Sequence, residues 1–310
     1  MANITSEKWK GVTGGGSFGQ KSLFWLFRHC DVRVGYFFMY IAIPFYMLFG
    51  VKSRRAIMHY FRDVHGYGWW KSLISAWKNY NTFGKVMLDR FSIFSGQKDK
   101  FQVECDGVDI FDELVKSSEG FMMAGSHTGN FEICGYLLHQ DVKKIFALVF
   151  GGESAVLQQK RFVQFASNNI EMVPVTDDMS HLFAMNQALQ DGNIITMPAD
   201  RIFGSSKCVT CKFGNAEADF PVGPFSIASI RNVPVIGVFV YKLSTRKYRI
   251  IVRKIQIDKE LESLSSKKRA EAMAREYVKI LESMVMEYPT QWFNFFEFFR
   301  KTRTDNADKK

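Results

Sequence analysis

The segment Ser126-His127-Thr128-Gly129-Asn130-Phe131-Glu132 places an imidazole and a carboxylate five positions apart, directly after an apolar run. A carboxylate on one ring nitrogen of a histidine fixes its tautomer and leaves the other nitrogen to take a proton from a hydroxyl or amine. That is the base and orienter of a catalytic triad without a protein nucleophile. Five residues along one regular helix subtend about 140° around its axis, so the two side chains meet only if His127 precedes the helix and Glu132 lies in its first turn. The flanking residues fit this: Gly120 to Ala124 reads as a short buried strand, and Gly129 and Asn130 lead into the helical pattern Phe131, Ile133, Cys134, Leu137, Leu138. The same spacing also suits a loop histidine near a helix start, with Glu132 placed there by the helix dipole.

Other residues supply the rest of a site. The backbone N–H groups of Thr128, Gly129, Asn130 and Phe131, at a helix start, suit an anionic group or an oxyanion. Asp200 follows the apolar run Asn193 to Met197 and falls at the carboxyl end of a strand, where α/β sheets place their ligands; there it can orient a basic side chain or an acceptor. His29, His59, His65, His139 and His181 have no comparable setting. Cys134 falls in an apolar stripe and reads as a packed thiol. Cys208 and Cys211 have zinc-ligand spacing, but no second Cys or His pair follows them, so no metal is expected.

The elements that must position these residues follow from periodicity. Short apolar runs at 101–105, 120–124, 145–150, 171–175, 193–197, 233–241 and 248–252 read as strands. Amphipathic stretches at 110–117, 131–139, 154–167, 180–190 and 224–230 read as helices between them, and 267–286 as a long late helix. This alternation predicts an α/β fold, a sheet flanked on both faces by helices, over residues 96–300. Residues 1–95 read as a separate helical, membrane-associating region and 301–310 as a frayed tail.

The chain has 310 residues, ample for a buried core, and its 47% apolar content excludes disorder. Its net charge of +10 favours anionic partners: a phospholipid surface, nucleic acid or an acidic carrier protein. Nucleic acid is disfavoured because the aromatics sit in apolar runs and do not alternate with Lys and Arg on strands. Five widely spaced cysteines do not make a disulfide framework. The polar, Gly-rich start at 9–17 lacks signal-peptide character, which predicts a cytoplasmic catalytic part. Val34 to Val51 carries no charge and is bracketed by Arg33 and by Lys52, Arg54 and Arg55. Its length of about 18 residues admits a membrane span, Pro44 favours a kinked segment in the interface, and a buried core helix is the third reading; the basic and aromatic flanks tilt the balance to membrane contact.

The His127-to-Glu132 element resembles the first motif of the lysophospholipid acyltransferase superfamily, in its lipid A secondary acyltransferase branch. Ala199-Asp200-Arg201, followed by Phe213-Gly214 and the run Pro221-Val222-Gly223 to Ala228, is similar to that branch's second block. Tyr288-Pro289-Thr290-Gln291-Trp292 is similar to its Pro-x-Gln-Trp ending. The resemblance spans roughly residues 120 to 299. It implies a glycerolipid acyltransferase-like mixed sheet and transfer of a fatty acyl chain from an acyl carrier protein or coenzyme A thioester to a hydroxyl or amine of a membrane lipid. It makes His127 the base and Glu132 its partner. It also points to Arg161, between the first two motifs, as a functional arginine whose guanidinium can hold a phosphate, with Asp200 as a possible partner. Arg201 departs from the relatives, which more often carry Asp-Gln, and leaves room for an acceptor other than a lipid A precursor, such as an aminolipid or polyene-type lipid. A thioester is already activated, so no metal or redox cofactor is implied. The expected location is the cytoplasmic face of a bacterial inner membrane. A non-catalytic membrane scaffold on the same fold is the rival reading.

Overall fold

The computed structural model describes residues 16–137, 142–149, 155–176, 178–202 and 207–300. The expected tail at 301–310, the polar start through residue 15, and the ends of three predicted elements (138–139 of the helix 131–139, 150 of the strand 145–150, and 154 of the helix 154–167) lie outside the described residues.

Four helices come first: α1 (Gly16–His29), α2 (Val32–Phe49), α3 (Val51–His59) and α4 (Trp69–Ser92). After them the chain alternates as its periodicity requires: β1 (Gln102–Asp106), α5 (Val108–Lys116), β2 (Phe121–Gly125), α6 (Ile133–Leu137), β3 (Ile145–Val149), α7 (Ala155–Ala166), β4 (Ile170–Pro174), α8 (Ser180–Gln190) and β5 (Ile194–Pro198). An antiparallel hairpin, β6 (Cys208–Phe213) and β7 (Ala216–Pro221), interrupts this alternation. It was not among the predicted strands. Then follow α9 (Gly223–Arg231), β8 (Val235–Lys242), β9 (Lys247–Lys254), the short α10 (Lys259–Glu262) and α11 (Ser266–Glu287).

Seven strands form one mixed sheet in the order β1-β9-β8-β2-β5-β3-β4. β8 and β9 are antiparallel, while β2 pairs in parallel with β5 on one side and β8 on the other. Strand residues alternate between the two faces. Met122, Ala124, Ile195, Met197 and Phe239 pack with α8, α9 and α11. Phe121, Ile194, Ile236 and Val240 pack with side chains from α5, α6 and α7 and with Val86 of α4 and Ile93 just beyond it. The sheet is thus covered on both faces, and the last turns of α4 belong to its core.

α2 is long and apolar enough to cross a membrane, and only 28% of it is buried. Cys208 and Cys211, three positions apart on β6, project to opposite faces of the hairpin.

Candidate active site

β2 and β5 are neighbouring parallel strands in which Gly125 is paired with Pro198. His127 and Asp200 each lie two residues beyond these partners, at the carboxyl edge of the sheet. The backbone stays together past the strands: Ala199 N–H donates to the Gly125 carbonyl at 2.9 Å, and the Tyr277 hydroxyl of α11 donates to the same carbonyl at 2.7 Å. The two side chains then meet. His127 Nδ1 lies 2.8 Å from Asp200 Oδ1, and the His127 backbone N–H donates to Asp200 Oδ2 at 2.9 Å. The Trp292 indole N–H donates to that same Oδ2 at 2.9 Å.

Asp200 is fully buried, whereas the imidazole keeps 24% of its side-chain surface exposed. Burial alone would raise the Asp200 carboxyl, but the charge and hydrogen bonds of His127, with the charge of Arg201, overcome it and hold the group well below the usual carboxylate range. Burial, helped by Arg201, pushes the His127 imidazole below its ordinary value, against the attraction of Asp200 and Glu132. At neutral pH the pair is therefore a neutral imidazole on an ionised carboxylate. With Nδ1–H on Asp200, Nε2 is the lone-pair nitrogen.

This corrects the expected His127–Glu132 pair: the ring nitrogen is oriented by Asp200. Glu132 does lie at the start of α6, yet its carboxylate sits between two buried arginines, at 2.9 Å from Arg90 Nε and 3.4 Å from Arg161 Nη1. Arg161 is not a solvated helix charge. It pairs with Glu132, which the packing of α7 against α6 brings beside it, where Asp200 was the expected partner. Arg90, on α4, lies in an aromatic-rich helical pattern directly after Asp89 and carries no motif, so nothing in the sequence singles it out; its burial against Glu132 is visible only in the fold.

Thr128, Gly129 and Asn130 are buried and brace the loop, where open substrate contacts were expected. The Thr128 hydroxyl lies 2.8 Å from Ser126 Oγ and accepts the Val240 N–H at 3.4 Å. Gly129 has φ +46°, and a Cβ there would come within 2.2 Å of the Val240 carbonyl oxygen, so glycine alone fits. Its N–H donates to the Gln291 carbonyl at 2.8 Å, which removes it from the expected anion-binding donors. In the reverse direction the Phe293 N–H donates to the His127 carbonyl at 3.1 Å. The segment from Gln291 to Asn294 is in effect a short strap along the His127 loop. Arg201 is tied to it as well, donating from Nε to Asn294 Oδ1 at 2.9 Å and from Nη2 to the Phe293 carbonyl. Trp292 belonged to the C-terminal motif but carried no role; its signal is that a buried indole N–H demands an acceptor. Phe213 of the hairpin packs on the indole at 5.2 Å between centroids.

Cys134 is no alternative nucleophile, since its apolar surroundings push the thiol up to about 12. Among the described residues no cluster of His, Cys, Asp and Glu could hold a metal ion.

No curated protein sequence matches the chain. The profile of the family described as bacterial lipid A biosynthesis acyltransferase matches residues 73–301, a span that holds Arg90, the His127 loop, Arg161, Asp200 and the Trp292 strap. A match over that much of the chain shows that the protein belongs to this family and is an acyltransferase.

Proposed function

We propose that the protein moves a fatty acyl chain from an acyl carrier protein or coenzyme A thioester to a hydroxyl of a membrane-bound lipid A precursor, with His127 as general base and Asp200 as its orienter. The observation that carries this reading is the 2.8 Å contact between His127 Nδ1 and Asp200 Oδ1 on a ring that is still partly exposed. Nε2 takes the proton of the acceptor hydroxyl as its oxygen attacks the thioester carbonyl carbon. Asp200 stabilises the imidazolium that results. The tetrahedral oxyanion then collapses, the carbon–sulfur bond breaks, and the leaving thiolate recovers the proton from Nε2. No covalent enzyme intermediate is needed, because the thioester is already activated.

Arg90 and Arg161 hold the Glu132 carboxylate beside the loop, and a guanidinium there is the group suited to a phosphate on donor or acceptor. The excess of basic residues in the whole chain favours an acidic carrier and an anionic lipid surface. Membrane attachment, at the cytoplasmic face of the inner membrane, is assigned to α2. Its Phe37, Phe38, Ile41, Phe45 and Phe49 are exposed, Phe49 to 82%, and so many large apolar side chains on one helix exceed what a water-facing surface carries.

The deciding experiment is transfer of a radiolabelled acyl chain from a carrier-protein thioester to total membrane lipid. His127→Ala should lose on the order of 10² to 10⁴ in rate, the usual contribution of a positioned base, while its circular dichroism stays that of the wild type. A folded His127→Ala protein transferring at the wild-type rate would overturn His127 as the base.

A further inference from the structure

α2 has 18 residues and would be about 27 Å long, so length alone permits a crossing. Its attachments do not. One side of the helix, Val32, Gly35, Tyr36 and Ile43, is buried. At Gly35 an added Cβ would come within 2.7 Å of the Phe27 ring, so α2 lies tightly on α1 there. The Tyr36 hydroxyl donates to Asp89 of α4 and reaches the Thr245 carbonyl at 3.0 Å. Asp89 is fully buried and also takes Lys242 of β8 and the Tyr248 hydroxyl of β9. α4, against which α2 packs, is itself fixed to the strap along the His127 loop: Asn79 Nδ2 donates to the Trp292 carbonyl at 3.0 Å.

The two ends of α2 are held to the same body. Ahead of it, Asp31 pairs with Arg246, and Gln97 Nε2 donates to the Cys30 carbonyl at 2.9 Å. Beyond it, Arg54 donates to the Met47 carbonyl at 2.7 Å, and Ala56 and Ile57 of α3 are buried. A bilayer crossing would put Asp31 and Arg246 on opposite sides of the membrane and strip the buried Tyr36 hydroxyl of its partners.

We infer that α2 lies in the plane of one leaflet, with no crossing, and that the occupant of its exposed face is an anionic lipid surface. The exposed edge continues onto α4, where Trp69 and Trp70 are exposed, Trp70 to 72%, and an apolar groove lined by Pro44, Met47, Leu73, Ile74 and Trp77 joins the two helices. The charge agrees: between Asp31 and Asp89 the one acid is Asp63, against Arg33, Lys52, Arg54, Arg55, Arg62, Lys71, Lys78 and Lys85. Aromatic rings at headgroup depth with basic side chains around them are the composition of an interfacial helix. The inference rests on the membrane reading above and adds its topology.

The test uses the full chain in bacterial membranes, with an N-terminal epitope tag and, separately, Arg28→Cys and Lys52→Cys in a background whose five cysteines are serine and which retains transfer activity. An in-plane helix predicts that an impermeant maleimide labels both positions in inverted inner-membrane vesicles and neither in spheroplasts. Protease should remove the tag in the inverted vesicles alone. The tagged chain keeps all native cysteines, so it distinguishes the two topologies even if the cysteine-free background does not fold. Labelling of Arg28→Cys, or loss of the tag, in spheroplasts would establish a crossing and overturn the inference. A protein recovered wholly in the soluble fraction at low salt would instead overturn the membrane reading beneath it.

Discussion

The Trp292 indole N–H and the His127 backbone N–H converge on one oxygen of Asp200, each at 2.9 Å, leaving the other oxygen to the His127 ring. The carboxylate is held by two fixed donors and directs its remaining lone pairs at Nδ1. Its orientation depends on a tryptophan 92 positions away.

Trp292→Phe keeps the ring packed on Phe213 but deletes the donor. A buried acceptor left with one bond fewer costs about 1 to 3 kcal/mol, so thermal unfolding should shift down accordingly. With less of its charge satisfied elsewhere, Asp200 should hold the imidazolium more strongly, and the acid limb of the kcat/KM profile should move to higher pH. An unchanged limb with lowered stability would reduce Trp292 to a packing residue.

Asp200→Asn should impair transfer about as severely as His127→Ala, on the order of 10² or more, because an amide can present its N–H to Nδ1 and favour the unproductive tautomer. Steady-state kinetics should show the loss in kcat with KM little changed.

In the wild type the His127 pKa lies below its ordinary value of 6.5, so the imidazole is unprotonated at neutral pH. Activity should hold as pH falls to 6.5 and drop only below it, as the imidazole takes a proton. The sign for stability is the same: a depressed folded-state pKa contributes stability above the unfolded value, and it is lost as pH falls through the folded one. A pH–rate profile with its acid limb at or above 6.5 would contradict this.

Glu132→Gln should act chiefly through Arg90 and Arg161. It leaves two buried guanidinium groups without their shared carboxylate, a change that costs about 3 to 5 kcal/mol when a buried pair is broken. Chemical denaturation should show that loss, and Arg161→Met combined with Glu132→Gln should recover part of it. Equal stability of Glu132→Gln and wild type would mean that the arginines do not depend on this acid.

The sheet was largely legible in the sequence because its strands are short apolar runs broken by turn residues, and all seven predicted runs form strands. β6 and β7 were missed although Gly214-Asn215 lies between two alternating runs; the proline and glycine that follow read more strongly as a turn before α9. The site was legible in its members more than in its bonds. His127 and Asp200 both stand out in the sequence, yet nearness along the chain points to Glu132 as the partner, while the pairing of β2 with β5 brings Asp200 nearer in space. Arg90 was hidden because α4 shows the same aromatic periodicity whether or not one of its turns holds a charge.

The pairing of Gly125 with Pro198 also makes the His127–Asp200 contact depend on strand register. Each residue advances a strand by about 3.3 Å, more than the whole length of the His127–Asp200 hydrogen bond. A single-residue insertion in either strand near its carboxyl end would carry one partner out of reach, whereas the same insertion in both would move the pair together. Drift in the lengths of these two strands is therefore limited by the pair itself, and in β2 also by the Val240 carbonyl that lies against Gly129.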